Sequence, residues 1–216
     1  MTHGYIFFDI EPSLKTLDLR DLEAIKSEFV ALVEARADVY TRAYATLALK
    51  ARTRFMLHLR ADEAKTIQDF VNALMHTALG KHLSITYTLL GITRPSPYNP
   101  KGTERPEEDP ARTYLIVYPF TKTIEWHLKP KEERSRIMKD HVGVGKKFND
   151  NISQLLLYSY GVDDHEFIVS YQTESLIDFQ TLVMELRNTE GRGYTLRDTP
   201  IFTCIRKSVA EALDFV

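Results

Sequence analysis

His141 is the residue whose type and place suggest chemistry. It falls in a stripe otherwise made of Ile137, Val144 and Phe148, at i, i+4, i+7 and i+11, the spacing of one helical face. A histidine inside an apolar stripe is either a core residue satisfied by one hydrogen bond, the commoner case, or part of a pocket wall. Gly143 and Gly145 follow at once. Each weakens a helix by about 1 kcal/mol relative to alanine, and each leaves room beside the imidazole for a flat group. A single neutral imidazole in an apolar setting is what five-coordinate haem iron requires. Its second ring nitrogen then needs an acceptor that fixes the tautomer. Glu190, at the end of the last long helix, is one candidate for that role; a solvated helix-end carboxylate is the plainer reading. Familiar short motifs are missing. The 7 histidines form no HExxH pair, and there is no GxGxxG, P-loop or GxSxG. Any chemistry must come from residues distant in sequence.

The elements that would position His141 fall into two series. Before a Pro-rich stretch, the pattern reads strand (Tyr5 to Ile10), helix (apolar Leu22, Ile25, Phe29, Leu32, Val33) and two strands (Val39 to Leu47, Arg54 to Leu59). A second helix follows (Ile67, Phe70, Val71, Leu74), stopped near Gly80, and then a strand from Ser84 to Ile92. After it the order recurs. Tyr114 to Phe120 is a strand, and Pro130 opens a helix with Glu132 and Glu133 at its positive end. Ile152 to Tyr160 and Glu166 to Tyr171 are strands joined by a turn. Leu176, Phe179, Leu182 and Leu186 mark a helix, and Pro200 to Arg206 a last strand. Ser208 and Glu211 are spaced as a capping box for a short terminal helix. The expectation is an α+β chain of two ferredoxin-like βαββαβ halves, residues 1–93 and 113–216, merged into one subunit as antiparallel sheets or a barrel. The connector between them is 94–112, which contains Pro95, Pro97, Pro100, Pro106 and Pro110 and so excludes regular helix or central strand.

Composition narrows the function classes. The 216 residues suffice for a core without disulfide or metal staples. With 28 Lys and Arg against 30 Asp and Glu, the net charge of −2 offers no basic excess for nucleic acid. No apolar run reaches the ~20 residues of a membrane span, and Met1 to Ile10 lacks the layout of a signal peptide. Cys204 is the sole cysteine, which excludes intrachain disulfides and cysteine-based zinc sites and fits a reducing, cytoplasmic setting.

Three segments, TKTIEWHLKPKEERSRIMKDH, YSYGVDDHEF and ELRNTEGRGYTLRDTPIFTCI, resemble the chlorite dismutase family, which includes the coproheme decarboxylases that make haem b. The N-terminal half is similar to it as well, in FVALVEARADVYTRAYATLALKARTRFML and IQDFVNALMHTALGKHL. The resemblance implies two ferredoxin-like halves, an iron porphyrin (haem b or coproheme III) held by the C-terminal half, and a homopentamer. By position, His141 matches the iron ligand and Lys122 a lysine beside the porphyrin edge. Trp126 matches a pocket aromatic, Glu190 the glutamate that hydrogen-bonds the ligand histidine, and Tyr87 a tyrosine that approaches a propionate.

Two positions separate the reactions. Chlorite dismutases carry an arginine thirteen residues after the iron ligand, suited to holding chlorite. Here that position is Gln154, as in many bacterial coproheme decarboxylases. Tyr118, in YPFTK, matches the decarboxylase tyrosine that is oxidised to a radical and takes hydrogen from a propionate. Alternation puts Tyr118, Phe120 and Lys122 on one strand face. Elsewhere the match is mixed. His127 stands where many decarboxylases have tyrosine, and Arg192 stands where their propionate-binding serine lies. Glu190 with YTLRDTPIFTCI leans towards the chlorite dismutase branch. The leading expectation is peroxide-dependent decarboxylation of coproheme. Chlorite dismutation to chloride and dioxygen is the alternative, and a non-catalytic haem carrier or sensor is the alternative from another class.

Overall fold

Alternating apolar residues build the sheets, and helical stripes cover them. The computed structural model describes residues 1–95 and 111–216. Most of the expected connector, including Pro97, Pro100, Pro106 and Pro110, lies outside the described residues. The chain forms two units, Met1–Ile92 with Thr203–Val216, and Thr93–Phe202.

The first unit contains β1 (Thr2–Ile10), α1 (Leu19–Ala35), β2 (Tyr40–Ala45), β3 (Phe55–Ala61), α2 (Ala64–His76) and β4 (Leu83–Ile92). β1 is central, antiparallel to β3 and β4, and β2 pairs with β3, the strand order of a ferredoxin-like fold. Its core takes alternate residues of β1 and β3 (Ile6, Phe8, Phe55, Leu57, Leu59) and the stripes of α1 and α2. The Phe8 and Phe55 rings stack at 4.8 Å, with Phe29 edge-on to Phe55 at 6.3 Å. The turn after α2 requires glycine, because a Cβ at Gly80 would lie 2.1 Å from the carbonyl oxygen of Leu74.

The second unit contains β5 (Tyr114–Lys122), α3 (Ile124–Leu128), α4 (Lys131–Lys146), β6 (Ile152–Tyr158), β7 (Phe167–Thr173), α5 (Leu176–Arg187) and β8 (Thr195–Arg197). β7 lies between β6 and β5, and β8 pairs with the end of β5, all antiparallel. α4, the turn after it and α5 supply Val144, Phe148, Phe179, Leu182 and Leu186 to a core with Ile152, Val169 and Tyr171. The architecture is α+β with two βαββαβ units, as the sequence leads one to expect.

Two details differ from the sequence reading. α3 is a separate short helix before Pro130, and the three-residue β8 is an added strand that pairs with the end of β5, where the register slips between Thr121 and Lys122. The expected last strand is present as β9 (Phe202–Lys207), which pairs with β2 through Ala43, Tyr44 and Ala45. After β9, α6 (Val209–Leu213) starts with the expected capping box. The Glu211 N–H donates to Ser208 Oγ at 3.2 Å, and the Ser208 N–H donates to the Glu211 carboxylate at 2.8 Å.

Candidate functional site

A cavity of about 540 Å³ opens within the second unit, a volume typical of small-molecule sites. β5 contributes Tyr118, Phe120 and Lys122, the alternate residues of one strand face. β6 contributes Gln154 and Leu156, β7 Val169 and Tyr171, and α5 Leu182 and Leu186. His141 and Gly145 come from α4, Trp126 from α3 and Arg192 from the segment after α5. His141, Lys122, Trp126, Arg192, Tyr118 and Gln154 thus line one cavity.

His141 is half-buried, and burial lowers its pKa below the ordinary value, with the charge of Lys122 adding to the effect. The imidazole is therefore held neutral. Its Nδ1 lies 3.4 Å from Thr189 Oγ1. That hydroxyl donates its own hydrogen to the Leu186 carbonyl at 2.8 Å, so towards His141 it acts as an acceptor. Nδ1 then carries the ring proton and Nε2 keeps its lone pair, the tautomer that a metal ligand needs. An added Cβ at Gly145, one turn after His141 and on the cavity wall, would meet nothing within 4 Å, so space remains there.

The resemblance assigned the hydrogen bond on His141 to Glu190, but the structure gives it to the neighbouring Thr189. Glu190 is exposed, and its carboxylate takes the Arg136 guanidinium at 3.0 Å. The physical reason is local. Thr189 follows the last turn of α5 and is buried, whereas the side chain of Glu190, the first residue of the following 3-10 turn, is exposed. Tyr87 is also elsewhere. It stands on β4 in the first unit, edge-on to Phe7 at 6.3 Å, and does not line this cavity.

Lys122 Nζ donates to the Gly191 carbonyl at 3.3 Å and sits 4.8 Å from the centre of the Trp126 ring. Burial, and secondarily Arg192, bring its pKa down to about 8. Glu166 fixes this corner. One carboxylate oxygen accepts the Lys122 backbone N–H at 2.7 Å, and the other lies 2.7 Å from His127 Nε2. Arg192 and Arg187 share Asp198 at 3.3 and 3.0 Å.

Tyr118 hydrogen-bonds Tyr171, whose ring lies at 6.2 Å between centroids, diagonally placed across the β5–β7 pairing. Burial raises the pKa of both phenols, so each stays protonated at neutral pH. Sequence reasoning missed Tyr171 and Thr189. The period-2 pattern of β7 marks Tyr171 as inward-facing, but nothing local distinguishes it from a core aromatic.

The residues present suit an iron porphyrin. One neutral imidazole offers a lone pair, the strands and α5 supply apolar walls, and the cationic side chains can meet carboxylates. Among the described residues, no cluster of three or more His, Cys, Asp or Glu could hold a bare metal ion. No helix is long and apolar enough to cross a membrane.

Comparison with known proteins agrees with this picture. Residues 22–207 match the sequence model of the family described as chlorite dismutase. The chain is 27% identical over 205 residues to a coproheme decarboxylase of Mycolicibacterium smegmatis, covering 94% of this chain and 88% of that one. It is 25% identical over 202 residues to a chlorite dismutase of Ideonella dechloratans, covering 88% and 70%. A crystal structure of a mutant chlorite dismutase from Candidatus Nitrospira defluvii superposes with a TM-score of 0.92 at 25% identity, covering 99% of this chain and 94% of that one. The chain belongs to the chlorite dismutase family.

Proposed function

We propose that this protein takes an iron porphyrin onto His141 and oxidatively decarboxylates coproheme with hydrogen peroxide. The observation that carries the reading is the juxtaposition of Tyr118, Lys122 and Gln154 in one cavity with His141. The bound iron porphyrin would supply the oxidising power that no protein side chain has.

The protein's residues supply the rest. Thr189 holds the tautomer of His141 so that Nε2 can bind the metal. Lys122, fixed by Glu166 and charged below about pH 8, attracts a propionate carboxylate towards Tyr118. Tyr118 is protonated and oxidisable, and its hydrogen bond to Tyr171 orients the phenol. The balance per propionate is –CH2CH2COOH plus H2O2 giving –CH=CH2, CO2 and two H2O. The propionate loses two electrons and peroxide gains them. In this scheme Tyr118 gives up its hydroxyl hydrogen atom and regains one from the methylene group that becomes part of the vinyl. Gln154 offers peroxide a neutral hydrogen-bonding amide.

The test is reconstitution with iron coproporphyrin III, addition of peroxide without oxygen, and mass spectrometry of the porphyrin. Stepwise loss of carboxyl groups is expected, and Tyr118→Phe should bind the porphyrin but leave it unchanged. Intact coproporphyrin on a loaded wild-type protein would overturn the reading. An oxygen electrode with chlorite should record no robust dioxygen release, because Gln154 carries no charge to hold the anion.

A further inference from the structure

Among the described residues, the cations that line the cavity do not all have carboxylate partners. Among the described residues, the lining cations are Arg94, Lys122, Arg134, Lys146, Arg187 and Arg192, and the one lining carboxylate is Asp198. Arg187 and Arg192 both spend their charge on that aspartate. On α4, the flanking charges are also paired: Glu133 with Lys129 at 2.7 Å, and Arg136 with Glu190 at 3.0 Å.

Arg134 lies between these pairs and differs from them. It is half-buried, lines the cavity, and its Nε is buried with no hydrogen-bond partner among the described residues. Leaving a buried donor of a charged group unsatisfied costs about 1–3 kcal/mol or more. An arginine kept in that state at a cavity wall awaits an acceptor from the ligand, and its planar fork suits a carboxylate. Its place on the wall that holds His141 would let it meet an acidic group of a ligand bound there. Arg134 is seven residues before His141, so it shares the same helix face about 10 Å along the axis.

We propose that Arg134 binds a peripheral carboxylate of the porphyrin, which makes the ligand's acidic groups a determinant of what the cavity accepts. The proposal rests on the porphyrin-binding reading above and adds a selectivity residue to it. Arg134 meets the substrate's edge and takes no part in the hydrogen transfer assigned to Tyr118.

The experiment is a binding titration that needs no turnover. Trp126 is the only tryptophan, it lines the cavity, and its fluorescence reports porphyrin binding by quenching. The probes are iron coproporphyrin III and its tetramethyl ester, against wild type, Arg134→Met, Arg134→Gln and Arg134→Lys. Arg134→Met should weaken binding of the acid about tenfold or more, the scale of one charge-assisted hydrogen bond, and leave the ester unchanged. Arg134→Lys should recover part of the loss. Arg134→Gln carries the same comparison if the methionine variant does not fold. Equal affinity of wild type and variant for the acid would overturn the anchor alone. So would equal weakening of acid and ester, the mark of a structural role. Failure of wild type to bind either porphyrin would overturn both the anchor and the porphyrin reading.

Discussion

Replacing Thr189 with valine tests the reasoning about His141 without any porphyrin. Valine keeps the shape of threonine and removes the hydroxyl, which does two things here. It donates to the Leu186 carbonyl at 2.8 Å, and it accepts from His141 Nδ1 at 3.4 Å. The first bond has ordinary length and is worth about 1 kcal/mol. The second is longer than the usual 2.7–3.2 Å and is worth about 0.5–1 kcal/mol. Together they give a stability loss of about 1–2 kcal/mol, or roughly 2–8 °C in Tm for a chain of this size. The second bond alone sets the tautomer, so its loss should move the ratio of Nδ1–H to Nε2–H by roughly two- to fivefold. The assay is 15N NMR of the histidine rings in protein free of porphyrin, with His141 identified by the signals lost in His141→Gln. Wild type should show a protonated Nδ1 and a bare Nε2, and Thr189→Val should shift towards Nε2–H. Glu190→Gln should leave the spectrum as it is, because that carboxylate faces Arg136. A shift in Glu190→Gln with none in Thr189→Val would refute the assignment of Thr189 as the partner. Iron–porphyrin affinity should fall by about tenfold in Thr189→Val, the low end for loss of a partner that orients a metal ligand.

Further expectations concern charge, capping and packing. Porphyrin affinity should decline above about pH 8, by up to tenfold per pH unit, because Lys122 there loses its proton and a carboxylate must rebind it. Fluorescence titrations from pH 7 to 10 should show this slope in wild type and lose it in Lys122→Met. Ser208→Ala removes one half of the capping box on α6 and should cost about 1 kcal/mol, read by denaturant midpoint. Leu182→Ala, at a core position of α5 that also lines the cavity, should cost about 2–5 kcal/mol by the same measurement. Gln154→Arg should introduce chlorite-dependent dioxygen release at an oxygen electrode, since it places a guanidinium where wild type has a neutral amide.

The fold was legible because its signals are periodic. Each unit alternates strand and helix patterns, and the apolar stripes of α1, α2 and α5 needed no knowledge of partners to be recognised. The end of the chain was less so. In isolation, IFTCI reads as a strand but does not name its neighbour, and the pairing of β9 with β2 is a tertiary choice. The short α3 was hidden because its five residues include an exposed Ile124 and Leu128 and give no amphipathic pattern. In the site, alternation alone placed Tyr118 and Lys122 together, and the stripe alone marked His141. Thr189, Tyr171 and Arg134 escaped notice because their meaning comes from distances. A threonine after a helix is ordinary until its hydroxyl is 3.4 Å from an imidazole, and an arginine next to Glu133 looks paired until that glutamate is found with Lys129.

The distribution of charge around the cavity bears on the choice between the proposed decarboxylation and chlorite dismutation. The residues that line it from β6 and β7 are uncharged: Ile152, Gln154, Leu155, Leu156 and Tyr158, then Phe167, Val169 and Tyr171. Apart from Arg94, the lining cations sit at the end of β5, on α4, and on α5 and the segment after it. A small anionic oxidant such as chlorite would find on the β6–β7 wall no fixed charge to hold it, and a neutral amide dipole is a weak substitute. An amphipathic ligand with carboxylates on its rim is matched better. Its acidic groups have cations to meet, while its apolar face lies against the uncharged strands. Lys122 is where the two regions join, because it shares a strand face with Tyr118. A carboxylate drawn to Lys122 is therefore drawn towards an oxidisable phenol. Along β5 the groups suited to holding an acid and to taking a hydrogen atom from it share one strand face, with Phe120 between them, whereas a group suited to holding a small oxyanion is missing from β6 and β7 among the described residues.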